Sequence, residues 1–213
     1  MARVKVCGIT SLEDAQMAVR SGADAIGFIF APSPRRIRPE EAREIINNAP
    51  PFVKTVGVFV DERPYVVRQI MEFCGIDLVQ FHGEESPEAC GEFMPRVVKA
   101  FRVRDGSVLS LMRQYQGKVR AMLLDAFSLE RAGGTGHIFD WTIAVTAKGL
   151  GIPVILSGGL NPSNIGDAIK KVKPFAVDVN SGIEERPGKK DPVLMEKLMK
   201  RIRDVDKGRN LNE

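Results

Sequence analysis

Ala2-Arg3-Val4-Lys5-Val6-Cys7-Gly8-Ile9-Thr10-Ser11-Leu12-Glu13 reads as a short strand that turns at once into a helix. Alternation puts Arg3, Lys5 and Cys7 on one face of the strand and Val4 and Val6 on the other. Thr10 and Glu13 stand at capping-box spacing, which satisfies orphan amides at a helix start. Leu12, Ala15 and Val19 then recur on one helical face. The expectation is a strand over 2–7 and a helix over 12–21, with a cysteine at the strand's C-terminal end.

The same unit repeats along the chain. Short β-branched runs predict strands over 24–30, 53–60, 78–81, 97–101, 121–124, 154–156 and 175–179. Helical patterns follow from Pro39, over 65–73, from Pro87, and over 108–115, 141–150 and 193–205, with Asp140 as a cap. Asn161 as N-cap and Pro162 at the first helical position predict one more helix, with Ile165, Ala168, Ile169 and Val172 on its buried face. About eight strand–helix units, spaced roughly 25 residues apart with no long linker, indicate a single closed (β/α)8 barrel. An open doubly wound sheet is the competitor, but the first turn lacks G-x-G-x-x-G. Residues 1–205 are expected to form one catalytic domain, and residues 206–213 a loose polar tail.

Composition narrows the function classes. Of 213 residues, 44% are hydrophobic and 27% charged, which suits an ordinary globular chain with a core of its own. A net charge of +4 without a basic run suits small anions and gives no case for nucleic acid. The three cysteines, Cys7, Cys74 and Cys90, form no CxxC pair, and only His82 and His137 could join them. A metal site is therefore not expected. The N-terminus reads as a strand, not a signal peptide, and no apolar run reaches the ~18–20 residues of a membrane span. A reduced, cytoplasmic protein with no membrane partner is expected.

In such a barrel the chemistry sits at the C-terminal ends of the strands. Polar residues gather there: Cys7, Arg35 and Arg36, Asp61, His82, Arg102, Asp125, Ser157-Gly158-Gly159 and Asn180-Ser181-Gly182. Parity places Asp178 on the same face as Lys5 where the last strand meets the first. A Lys5–Asp178 pair follows, because neither charge is easily buried alone. Gly158 and Gly159, with Ser181 and Gly182, suit a phosphate held by free amides, or else tight turns alone. Cys7 could be an inert core thiol, but a helix start behind it would favour a thiolate. Asp125 could be a cap or ion-pair partner, or an acid that keeps its proton at a desolvated rim. His82 could orient a ligand or simply hydrogen-bond, and Arg36 could grip a carboxylate or stay solvated. The Gly133–Gly136 loop lacks the Lys-Ser/Thr of a P-loop, which favours a flap over the site.

Taken together, Lys5-Val6-Cys7-Gly8-Ile9, Gly27–Phe30 with Ser33–Arg36, Val79–Gly83, Leu124-Asp125, Gly133–Gly136 with 139–141, Leu156–Leu160, Val177–Glu184 and Pro187–Asp191 resemble the phosphoribosylanthranilate isomerase family from first strand to last. The resemblance implies an Amadori rearrangement in tryptophan biosynthesis, with Cys7 as general base and Asp125 as general acid. It implies that Arg36 holds the anthranilate carboxylate and that the glycine and serine loops hold the phosphate. His82 and Asp178 join the substrate-binding set. The ligand is then a phosphosugar–anthranilate, no cofactor is needed, and the assembly is a monomer or a homodimer. Phe81 and Asn180 depart slightly from the family, which more often has leucine and serine there.

Rival readings are another phosphosugar isomerase or epimerase barrel and a non-catalytic phosphate-binding barrel. A histidine-pathway isomerase would want an aspartate where Cys7 stands, and an epimerase would want metal-binding histidines.

Overall fold

The computed structural model describes residues 2–126 and 140–210. The elements alternate from end to end: β1 (Arg3–Val6), α1 (Leu12–Ser21), β2 (Ala25–Ile29), α2 (Pro39–Asn47), β3 (Lys54–Phe59) and α3 (Pro64–Cys74). β4 (Leu78–Phe81), α4 (Pro87–Gly91), β5 (Val97–Val103), α5 (Val108–Arg113), β6 (Ala121–Ala126) and α6 (Trp141–Ala147) follow. β7 (Val154–Leu156), α7 (Ile165–Val172), β8 (Ala176–Val179), a small hairpin of β9 (Glu184–Arg186) and β10 (Lys189–Lys190), and α8 (Pro192–Asn210) complete the chain. β1 to β8 close into a parallel barrel, with β8 returning to β1. No described helix is long and apolar enough to cross a membrane.

Alternation along each strand divides the core in two. Val6, Phe28, Phe59, Val79, Leu124, Leu156 and Val177 belong to the large cluster between strands and helices. A second cluster of Val98, Ala100, Ala121, Leu123, Ile155 and Ala176 fills part of the lumen. Alanines alternate with branched aliphatic residues there, because inward side chains from several strands converge on one axis and must interdigitate. Above them the lumen turns polar. Lys5 Nζ lies 2.8 Å from Asp178 Oδ1 and 2.9 Å from Gln80 Oε1 on β4. Lys5 and Asp178 are register partners across β1 and β8, and the predicted pair is present. Burial disfavours the Lys5 charge, but the Asp178 carboxylate more than compensates and holds its pKa above the ordinary lysine value. Lys5→Met strips a buried carboxylate of its counter-ion. It is expected to cost roughly 3–5 kcal/mol, read as a lower denaturant midpoint at unchanged slope.

Several boundaries differ from the sequence reading, each for a local reason. Ser11 rather than Thr10 caps α1, its Oγ accepting from Asp14 N at 3.2 Å, while Thr10 Oγ1 donates to Gly188 O at 2.6 Å. α7 begins at Ile165, not at Pro162. Asn161 Oδ1 accepts from Ser163 N at 2.8 Å, and Asn164 Oδ1 accepts from Asn161 N at 2.9 Å, so these residues close a turn of their own first. β5 and β6 run on to Val103 and Ala126, which puts Arg102 and Asp125 inside strands and in register with each other. α8 continues to Asn210, so 206–210, expected as a loose tail, are helical. Their charged composition resembles a tail, but no proline or early glycine stops the helix. Residues 211–213 and the Gly133–Gly136 loop lie outside the described residues.

Candidate active site

Cys7 is the first residue beyond β1, and its N–H donates to Val179 O at 2.8 Å, so pairing with β8 carries through it. The side chain is 4% exposed. A Cβ on Gly27 of β2 would stand 2.9 Å from Cys7 Sγ and 2.9 Å from Lys5 Cε, which makes a side chain there incompatible with both. Burial pushes the Cys7 thiol above its ordinary value, Lys5 pulls it back, Asp178 adds to the rise, and Lys190 again opposes it. The expected help from a helix start is not what the fold supplies, because α1 begins only at Leu12. Two buried ammonium groups take that place.

Lys190 is the one the sequence reading missed. It sits on β10, is 0% exposed, and donates to Asn180 Oδ1 and Glu184 Oε1, each at 2.9 Å. Glu184 also takes a two-pronged grip from Arg35, with Nε at 2.9 Å and Nη2 at 2.7 Å. Burial opposes ionisation of Glu184, yet Arg35 and Lys190 hold its pKa below the ordinary carboxylate value. The Lys190 pKa is lowered, chiefly by burial, against the pull of Glu184. The sequence signal was the Pro187–Asp191 turn, but nothing in it says which of Lys189 and Lys190 points inward.

Asp125 stands on β6, at the same end of the barrel as Cys7 and separated from β1 by β7 and β8. Its side chain is 29% exposed, and its Oδ2 lies 3.4 Å from His82 Nε2. His82 N donates to Phe59 O at 2.8 Å, and its Nδ1 lies 3.2 Å from Gln80 Nε2. Gln80 is 2% exposed and joins His82 to Lys5. Period-two spacing from His82 could have pointed to Gln80, since both must share a face.

Gly158 and Gly159 follow β7 with φ of 84° and 64°, left-handed values that glycine adopts without strain. A Cβ on Gly158 would collide with Ala126 N, and one on Gly182 with Leu160 O. Among the described residues, the N–H groups of Gly158 and Gly159 have no acceptor. The Asn161 and Asn164 amides donate instead to Gly159 O, fixing the loop with its N–H groups unspent. Ser181 and Gly182 begin a single 3-10 turn after β8, half-buried at the same end. Unspent backbone N–H groups at the C-terminal ends of barrel strands are chemistry that suits an anion.

The two adjacent arginines part company. Arg35 is buried on Glu184, whereas Arg36 is exposed and has no ion pair among the described residues. Arg102, in register with Asp125, is also exposed. No group of three or more His, Cys, Asp or Glu suited to a metal occurs among the described residues. Cys7, Lys5, Gln80, His82, Asp125, Asp178 and the two loops thus converge on one end of the barrel, with Arg36 following β2 nearby in sequence.

Residues 4–201 match the model of a family described as N-(5'phosphoribosyl)anthranilate (PRA) isomerase. The chain is 54% identical over 200 residues to N-(5'-phosphoribosyl)anthranilate isomerase of Citrifermentans bemidjiense, covering 93% of this chain and 96% of that one. It is similar to the crystal structure of phosphoribosyl anthranilate isomerase from Thermotoga maritima at 44% identity and a TM-score of 0.90, covering 96% and 100% of the two chains. A second solved phosphoribosyl anthranilate isomerase, in complex with reduced 1-(o-carboxyphenylamino)-1-deoxyribulose 5-phosphate, is 42% identical with a TM-score of 0.86 over 96% and 100%.

Proposed function

The chain belongs to the N-(5'-phosphoribosyl)anthranilate isomerase family of tryptophan biosynthesis, and from that premise we propose that Cys7 is its general base and Asp125 its general acid. Asp125 gives its proton to the ribose ring oxygen, and the ring opens to an iminium ion that keeps the N–H. Cys7, as thiolate, takes the proton from the adjacent carbon. The resulting enol tautomerises to the aminoketose phosphate. Both proton transfers are carried by side chains of the chain itself. One group gives and the other takes on different sides of the sugar, which suits residues on β1 and β6.

The observation that carries this reading is that both groups stand at one end of the barrel, each tied to a buried polar network. The free amides of Gly158 and Gly159, with Ser181 and Gly182, take the phosphate at the adjoining strands. Asp178 serves the site by holding Lys5 beside Cys7. Arg36 holds the anthranilate carboxylate, for which an exposed guanidinium with no ion pair among the described residues is apt. Arg36→Ala is then expected to raise KM about tenfold or more at a smaller loss of kcat, since the carboxylate is bound alike before and during the reaction.

Mixing the protein with N-(5'-phosphoribosyl)anthranilate and following the loss of substrate fluorescence tests the scheme. Near-unaltered turnover in Cys7→Ala or Asp125→Asn removes that residue from its role. Cytoplasmic residence accords with three buried, unpaired cysteines. A monomer or homodimer is proposed for the assembly, and light scattering on the eluted protein decides between them.

A further inference from the structure

The hydrogen-bond capacities of four side chains fix a proton that no sequence motif names. Lys5 carries only donors, so the Gln80 atom 2.9 Å from its Nζ must be the amide oxygen. That orientation turns the Gln80 NH2 toward His82 Nδ1, 3.2 Å away. An NH2 group can only donate, so Nδ1 must accept, and the neutral imidazole must carry its proton on Nε2. Nε2 is the atom that faces Asp125 Oδ2 at 3.4 Å. The chain of polarity runs Asp178–Lys5–Gln80–His82–Asp125, from beside Cys7 across the lumen to the opposite carboxyl.

We infer that Gln80 is a positioning residue that locks His82 as the Nε2–H tautomer, so that His82 donates to one oxygen of Asp125 and leaves the other free to present the acidic proton to substrate. The inference rests on the reading of Asp125 as the acid. Its physical content is separate: a histidine tautomer follows from what its other nitrogen meets. With Nδ1–H instead, two donors would face each other at Gln80 and a bare Nε2 would face Asp125. Nε2 would then compete for the proton that the carboxyl must deliver. The 3.4 Å contact is long for a hydrogen bond, as such contacts often are before substrate closes the site.

Gln80 also satisfies Lys5, so a drop in activity alone would not separate positioning from packing. The tautomer does. Nitrogen-15 NMR of the imidazoles, at a pH where they are neutral, reads it directly. With two histidines in the chain, the spectrum of His137→Gln assigns the signal. The unaltered protein should show His82 protonated at Nε2. Gln80→Met should give a mixed population, and Gln80→Glu, whose carboxylate accepts, should move the proton to Nδ1. Both variants should lower kcat about tenfold or more while KM changes much less.

An Nδ1–H imidazole in the unaltered protein overturns the inference outright, even if neither variant folds. So does an unchanged tautomer in Gln80→Glu. A shifted tautomer with unchanged kcat overturns the link between Gln80 and catalysis, and unaltered turnover in Asp125→Asn is what would remove the acid role of Asp125. Loss of activity in Asp125→Asn alongside a shifted tautomer with unchanged kcat would keep the acid role and place the failure in Gln80.

Discussion

Cys7→Ala is expected to lower kcat by about a thousandfold or more while leaving the fold intact, because the substitution removes the proposed base and only a small buried volume. The thiol is 4% exposed, so its replacement exposes no apolar surface. The unaltered protein should show the base through pH. Only the thiolate can take the proton, and burial raises the thiol pKa against the opposing pull of Lys5 and Lys190. kcat/KM should therefore climb about tenfold per pH unit on the acid side of that pKa and level off above it. Cys7→Ala should abolish that limb together with most of the rate. A profile with its limb intact in Cys7→Ala would assign the titration to another group.

Asp125→Asn is expected to cost roughly 10²–10⁴-fold in kcat. The amide oxygen can still accept from His82 Nε2, so the 3.4 Å contact survives and the strand is undisturbed. What is lost is the proton. KM should hold nearly constant, since Asn fills the same volume at the half-exposed rim. Stopped-flow fluorescence distinguishes the two variants further. Blocking ring opening leaves substrate unconsumed from the first instant, whereas blocking carbon deprotonation in Cys7→Ala permits opening and closing of the ring. Rates in Asp125→Asn within a few-fold of the unaltered protein would end the acid assignment.

The strands were legible because each reads as a β-branched run beside an amphipathic helix. Parity was enough to pair Lys5 with Asp178, since both point into the lumen from neighbouring strands and neither charge is easily buried alone. The helix starts were less legible. Thr10–Glu13 and Asn161-Pro162 both carry the right letters, yet the hydroxyl of Thr10 is taken by Gly188, 178 residues away, and Asn161 by a local turn. Capping signals are local, and a distant partner can outbid them.

By itself the sequence determined the barrel, which follows from periodicity, and it gathered polar residues and glycine loops at one end of the strands. Cys7 and Asp125 became a candidate pair through the family resemblance, since each residue type alone has a structural use as well. Only the tertiary structure decided what surrounds the pair. It put α1 too far along to act on Cys7 and gave that role to Lys5 and Lys190. It buried Arg35 on Glu184 while Arg36 stayed exposed. It also ran Gln80 between Lys5 and His82. Whether a polar side chain supports a neighbour or meets solvent depends on partners from other strands, and spacing along one chain does not encode which of them come within three ångströms.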